Sequence, residues 1–415
     1  MSYKKTTLPN GIRVVTERMD GVRSISLGIC ITSGSRDEGE NEKGISHLIE
    51  HMLFKGTETR TAKDIAVAIE SIGGTLNAFT AKEFTYYYAR FLDKHLDRVW
   101  ELLTDILEHP AFDEKELNKE KAVILEEIKG FEDSPEEQAF HGLTKILFKD
   151  HPLAHPIMGT RRELNSLSRD DMLRFRTLHY TGDNLIVAAS GHLEHERLVE
   201  IANSSLSPYD NQSKKNGQPP EKVPPEIKIK TRKDISQVHV ALGCRTIKYD
   251  SKERIPLLVL NTLLGDGMSS RLFQRLREQE AKVYTIFSYL ELFRDAGLLG
   301  IYLATSKRHL QSVISNIFDE FIKLRNLGVN QAELTNTKEQ LKGELLLGLE
   351  STANRMVRLT KDEIYLSRYL SLDEVISSID QVKEEDIAAL AERFLDPGNY
   401  SISIVGPIKH FSLNS

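Results

Sequence analysis

The chain repeats itself. Near its start Leu27-Gly28 matches Leu242-Gly243, an offset of 215 (242 − 27); near the far end Asn184 matches Asn399 and Gly191 matches Gly406 at the same offset. Between them Asp171, Met172 and Phe175 fall on Asp386, Ile387 and Leu390, again 215 apart. A spacing held from residue 27 to residue 191 implies two copies of one fold, each far too long to be the unit of a solenoid. Whatever architecture the first half adopts, the second half is expected to adopt as well.

Periodicity sketches that architecture. Residues 12–35 read as two strands around a turn at Met19-Asp20-Gly21, the second apolar enough for a sheet interior. Thr61 to Ile72 reads as a helix capped by Thr61 and stopped by Gly73-Gly74. Thr75–Thr80 and Phe84–Phe91 read as a strand pair rich in Thr, Phe and Tyr. Helices are predicted over His95–Leu107, Glu114–Phe131, Glu136–Phe148 and Arg169–Leu178, and a strand over Leu185–Ser190. From Ser207 to Pro225 the sequence turns polar and proline-rich without periodicity, which reads as a linker. The division expected is 1–207, a linker at 208–225, and 226–415.

Composition narrows the function classes. Of 415 residues 40% are hydrophobic and 28% charged, as in ordinary globular proteins, and the net charge of −6 argues against nucleic acid or an anionic membrane as partner. No apolar run is long enough to span a bilayer, no signal core follows Met1, and cytoplasm is the expected compartment. Cys30 and Cys244 sit far apart in apolar runs and read as buried thiols, so metal ligation must come from other residues.

The first half carries a chemical motif that the second lacks. Ile45, Leu48, Ile49, Met52 and Leu53 follow the helical period, and within that helix lies His47-x-x-Glu50-His51. Positions three and four apart share a helix face, so both imidazoles and the carboxylate point one way. Two neutral imidazoles at that spacing can grip one metal ion while the carboxylate takes a proton from a water beside it. At offset 215 the second half has Thr262-Leu263-Leu264-Gly265-Asp266: the apolar helix persists and the three groups are gone. A third ligand must come from elsewhere. The helix Glu114–Phe131 offers Glu120 and Glu127, two turns apart on a face shared with Val123, Ile124 and Ile128, while Glu126 points away. The same two carboxylates could equally flank the apolar stripe and reach water. His151 and His155 are separated by prolines that forbid a continuous helix, and His192 and His195 are expected in a solvated loop after a strand.

HxxEH followed by Glu127 at 76 residues (127 − 51) resembles the pitrilysin/insulinase family of zinc peptidases, the inverzincins. The likeness extends over His51-Met52-Leu53-Phe54-Lys55-Gly56-Thr57, Gly73-Gly74-Thr75-Leu76-Asn77-Ala78-Phe79-Thr80, Lys121 to Ile128, His151-Pro152-Leu153 and Gly159-Thr160. It spans essentially the whole chain and is greatest to bacterial processing-peptidase-like members that resemble the mitochondrial processing peptidase β subunit. The resemblance implies an α+β fold, two homologous halves that each pack helices on a mainly antiparallel sheet, closing as a clam-shell. It implies one zinc ion per chain held by His47, His51 and Glu127, with Glu50 as general base and Glu120 orienting a ligand. Asn77, Ala78 and Phe79 would lie on an edge strand that pairs with an extended substrate. Arg277 and Tyr284 match a pair that would bind a substrate carbonyl and the developing oxyanion. One departure stands out: the family commonly has glycine three residues before that tyrosine, where this chain has Ala281.

The function implied is a zinc endopeptidase for peptides or unfolded segments, acting as a homodimer or beside a degenerate homologous subunit. The alternatives are a non-catalytic or partner-dependent subunit of the same fold, whose representatives lose the metal ligands, and metal-dependent hydrolysis of a non-peptide bond.

Overall fold

In the computed structural model the described residues are 2–206 and 217–413. Of the linker expected at 208–225, residues 208–216 lie outside them. The first strands are β1 (Ser2–Thr7), β2 (Arg13–Arg18) and β3 (Ser24–Ile31). Helices α1 (Ile45–Leu53) and α2 (Ala62–Glu70) follow, then the strand pair β4 (Thr75–Thr80) and β5 (Thr85–Leu92). Thr61 caps α2 as its sequence suggests: its hydroxyl accepts from Asp64 N–H and the Asp64 carboxylate accepts from Thr61 N–H. Next come α3 (Leu96–Glu108), α4 (Glu114–Asp133), α5 (Pro135–Phe148), α6 (Arg161–Ser166), α7 (Arg169–His179), β6 (Leu185–Gly191) and α8 (His195–Ser205). After the linker run β7 (Ile227–Thr231), β8 (Gln237–Thr246), α9 (Arg254–Gly265), β9 (Val283–Leu292) and β10 (Gly297–Ser306). The chain closes with α10 (Leu310–Leu327), α11 (Gln331–Gly348), α12 (Thr352–Leu366), α13 (Leu372–Asp380), α14 (Glu384–Phe394) and β11 (Ser401–Gly406).

The repeat is visible in the sheets. One has the order β1-β2-β6-β3-β5-β4 and the other β7-β11-β8-β10-β9. With β1 set aside the two match strand for strand, including the single parallel pair in each, β2 with β6 and β7 with β11. Strand pairing corrects the offset. Ser190 and Val405 are 215 apart (405 − 190), and their partners Ser26 and His239 are 213 apart (239 − 26). The match of Leu27-Gly28 to Leu242-Gly243 is therefore two residues out of register. Because side chains alternate with period two, an even slip leaves every residue on its proper face, so the local likeness survived it. At 213 the HxxEH helix corresponds to Leu260-Asn261-Thr262-Leu263-Leu264, again without a ligand.

The helices do not divide as the strands do. One compact unit takes in Met1–Lys129, His155–Gly217 and Gly348–Tyr369; the other takes in Gly130–Ala154, Gln218–Leu347 and Leu370–Ser415. In the first, α1, α3, α4 and α7 pack on one sheet face around Leu27, Ile29, Leu48, Met52 and Ile124. The opposite face, with Val15, Cys30, Tyr86 and Ile186, is covered by Met356 and Leu359 of α12. In the second, α9, α10 and α14 cover one face, and Ala139, Leu143 and Leu147 of α5 cover the other. Each half of the chain thus lends one helix to the other half's sheet, and the expected boundary at 207 describes the strands only. The lent helices fit closely. A Cβ on Gly142 of α5 would come within 2.1 Å of Ser403 Oγ on β11. In α12, Arg355 pairs with Glu17 of β2, both side chains buried. Cys30 and Cys244 are buried free thiols, and no helix among the described residues is long and apolar enough to cross a membrane.

Candidate metal centre

The helix that carries the motif is α1, and its neighbours bring the remaining groups to it. His47 Nε2 and His51 Nε2 lie 3.8 and 3.7 Å from the same oxygen, Glu127 Oε2 of α4. Taking one ligand atom from each residue, all lie within 4.8 Å of one another, the only such trio of metal-ligating side chains among the described residues. Donor atoms around a tetrahedral zinc with bonds of about 2.0–2.1 Å sit roughly 3.3 Å apart, so the two imidazoles at 3.8 and 3.7 Å need to close only slightly on Glu127.

The protonation states suit a metal. His51 Nδ1 lies 3.1 Å from Glu120 Oε2, an arrangement that puts the ring proton on Nδ1 and leaves the Nε2 lone pair facing Glu127. Burial, and then the neighbouring His51, push His47 down to about 4, so it is neutral near pH 7 with a lone pair to give. Its Nδ1 is buried without a hydrogen-bond partner. The donor set of two neutral imidazoles and one carboxylate, with a carboxylate behind one imidazole, fits zinc. Lys55, just past the end of α1, pairs with the other oxygen of Glu120 at 2.8 Å, giving that buried side chain a cation partner. Glu126 points away from the trio and pairs with Lys129.

Glu50 lies between the histidines on the same helix. Burial raises its carboxyl above the ordinary range. Thr80 opposes that: its hydroxyl donates to Glu50 Oε2 at 2.5 Å and its backbone N–H also favours the charged form. Thr80 ends β4, the outer strand of its sheet. Alternation along β4 puts Leu76, Ala78 and Thr80 on the face toward α1, where Leu76 and Ala78 join its apolar cluster. Asn77 is exposed, and its Oδ1 accepts from Ala78 N–H at 2.8 Å. Phe79 points to the opposite face, among Phe84, Tyr86 and Tyr88, away from Glu50.

Arg277 and Tyr284 belong to the second unit. Arg277 is exposed on a widened helical stretch, Phe273–Gln279, with Nη1 3.4 Å from Val283 O; Tyr284, next along β9, is 56% exposed. Ala281 between them has φ +49°, the left-handed conformation in which glycine is at ease. The turn keeps a glycine's shape and alanine bears the strain.

Sequence reasoning misses three groups around this centre and misplaces one histidine elsewhere in the fold. In the sequence Thr80 reads only as part of a strand, Lys55 only as part of a likeness, and Glu38 carries no signal of its own. Glu38 is buried, and its two oxygens accept Gly44 N–H at 2.8 Å and Ser46 N–H at 2.9 Å, at the start of α1. The available signal is a helix that opens on glycine, without a capping side chain of its own. His195, expected in a solvated loop, is instead the buried first residue of α8, its ring nitrogens each 2.9 Å from the hydroxyls of Thr6 and Thr16. The sequence pattern predicts no strand at β1, and without β1 His195 has no Thr6 to meet.

Sequence models of one family match the chain in two stretches: insulinase (peptidase family M16) over residues 13–161 and the peptidase M16 inactive domain over residues 166–341. The uncharacterized zinc protease YmxG of Bacillus subtilis is 37% identical over 404 residues, 97% of this chain and 98% of that one. An uncharacterized zinc protease of Mycobacterium leprae is 36% identical over 408 residues, 97% of this chain and 91% of that one. Among solved structures, a peptidase M16 inactive domain from Pseudomonas fluorescens superposes with a TM-score of 0.92 at 20% identity, covering 100% of both chains. A protease from Helicobacter pylori superposes with a TM-score of 0.90 at 22% identity, covering 98% of this chain and 99% of that one. At those identities the two structures speak for the fold.

Proposed function

The chain belongs to the insulinase family of peptidases, M16, and on that footing we propose that it is a zinc-dependent endopeptidase acting on peptides or unfolded polypeptide. The observation that carries the proposal is the convergence of His47, His51 and Glu127 on one point with Glu50 beside them. Zinc held by those three would supply Lewis acidity, polarising the scissile carbonyl and making a water more acidic. Glu50 takes the proton of the attacking water and returns it to the leaving amine nitrogen. Its raised proton affinity suits both steps, and the Thr80 hydroxyl holds the carboxylate in place through Oε2. Glu120 holds His51 in the tautomer that ligates.

Substrate form follows from β4. As the outer strand it offers an edge to an extended backbone, which favours peptides and unfolded segments over folded surfaces. The Ala78 N–H now taken by Asn77 Oδ1 is one donor an incoming strand would claim. Tyr284 and Arg277 are assigned, within the same proposal, to the oxyanion and to a substrate carbonyl. The proposal also keeps a homodimer, or pairing with a degenerate homologous subunit, as the assembled form, which light scattering on the purified chain measures. The non-catalytic alternative accounts poorly for a chain that retains every ligand together with the base.

The deciding experiment compares zinc content and cleavage of an unstructured peptide for wild type and Glu50→Gln. The expected outcome is about one zinc per chain in both, with kcat lower by about 10²- to 10⁴-fold in the variant. A wild type that holds zinc and cuts nothing returns the non-catalytic reading to the front.

A further inference from the structure

We infer that Glu38 is a positioning residue for the metal centre: by capping the first turn of α1 it sets His47 in place before any metal arrives. The first N–H groups of a helix have no partner within it and usually bond to a Ser, Thr, Asp or Asn at the helix start. In α1 that start is Gly44, and no other residue fits. Its φ is +88°, and a Cβ there would stand 2.5 Å from Met158 O. The cap therefore comes from six residues upstream, where Glu38 receives the N–H groups of Gly44 and Ser46 on separate oxygens. His47, the third residue of α1, is the ligand that moves if this turn frays. His51, a turn later and held by Glu120, is not.

The anchoring of Glu38 gives the cap its purpose. Arg36, two residues before it, is buried against Glu83 at 2.6 Å, and the N–H groups of Ser35 and Arg36 bond to Ala81 O and Lys82 O. Residues 81–83 form the turn between β4 and β5, and β4 ends in Thr80, which holds Glu50. Lys43 Nζ closes on the carbonyl of Glu38 itself at 2.8 Å. One hairpin thus grips α1 twice, through Glu38 at its start and through Thr80 at Glu50.

The inference rests on the metal reading above and not on peptidase activity, so its test reads zinc binding. Burial pushes the Glu38 carboxyl up to about 7, against the pull of its two N–H bonds, so the measurements belong at pH 8, where it is a carboxylate. Zinc affinity is measured by competition with a chromophoric chelator for wild type, Glu38→Gln and Val15→Ala. The amide that Glu38→Gln introduces would turn a donor toward a backbone N–H, and the expected loss of affinity is about tenfold or more. Val15 lies on the opposite sheet face beneath α12, so Val15→Ala lowers Tm while binding zinc as wild type does. Equal affinity in wild type and Glu38→Gln overturns the assignment. Hydrogen exchange at Gly44 and Ser46 in the wild type tests it without a variant. Slow exchange is expected in the metal-free chain and unchanged by zinc, whereas fast exchange that zinc suppresses means that the metal, not Glu38, sets the turn. A wild type that takes up no zinc removes the metal reading itself and this inference with it, an outcome distinct from the other two.

Discussion

His47 and Glu50 are three residues apart on one helix, and burial acts on them in opposite directions, lowering the basicity of the imidazole and raising that of the carboxylate. Both changes favour the uncharged form, which a ligand needs and a proton carrier uses. For His47 there is a consequence for the metal-free protein. Its folded pKa of about 4 lies below the ordinary 6.5, so its stabilising contribution is full above pH 6.5 and is lost as pH falls toward 4. Melts of the metal-free chain between pH 7 and 4 should show a decline with a His47 share of at most about 3 kcal/mol, and His47→Gln should flatten that share. At this scale the cluster of His47, Glu50 and His51 was legible because HxxEH is a local pattern: spacing on one helix fixes the shared face. The groups that support them were not. Spacing alone narrowed Glu120 and Glu127 to one helix face, and their separate roles came only with the family resemblance, since which carboxylate reaches His51 depends on how α4 crosses α1. Lys55 and Glu38 act through contacts that no spacing in the chain announces.

Among the elements, β4 serves two ends. It is an outer strand and its last residue holds Glu50, so under the proposed function substrate docking and proton transfer would share one strand. Thr80→Val keeps the β-branched shape the strand prefers and removes only the hydroxyl. It should leave zinc content and KM near wild type and lower kcat by about tenfold, the scale of one lost hydrogen bond to a charged group. Steady-state kinetics beside metal analysis checks this. β4, β5 and the cap of α2 could be read directly, because their signals lie within a few residues: alternation, aromatic content, and a Thr with an acid three positions on. β1 gave no such signal. Its burial follows no alternation, since it is an outer strand held by pairing with β2, and that pairing is a long-range fact. The turn at Ala281 belongs here too. Ala281 stands where the resemblance leads one to expect glycine, and its backbone takes the left-handed conformation that glycine favours.

In the molecule as a whole, the repeat foretold two like sheets and concealed the exchange of helices. An offset in sequence records which strands correspond; it does not record which sheet a helix lies on, and α5 and α12 each lie on the sheet of the other half. The exchange has a measurable strength. Arg355→Met leaves the Glu17 carboxylate buried without its cation, which should destabilise the first unit by about 3–5 kcal/mol. A fall in Tm that Glu17→Gln combined with Arg355→Met partly restores would assign the loss to the stranded charge.

The same exchange sets a timetable for synthesis. All six strands of the first sheet have been translated by Gly191, and the trio of the candidate metal centre by Glu127, yet the helix that covers the sheet's other face is not finished until Leu366. While the intervening residues are made, Val15, Cys30, Tyr86 and Ile186 face water or a chaperone. The first half, though encoded first, is completed late, and a chain whose translation stops at the linker has His47, Glu50, His51 and Glu127 and an unfinished sheet.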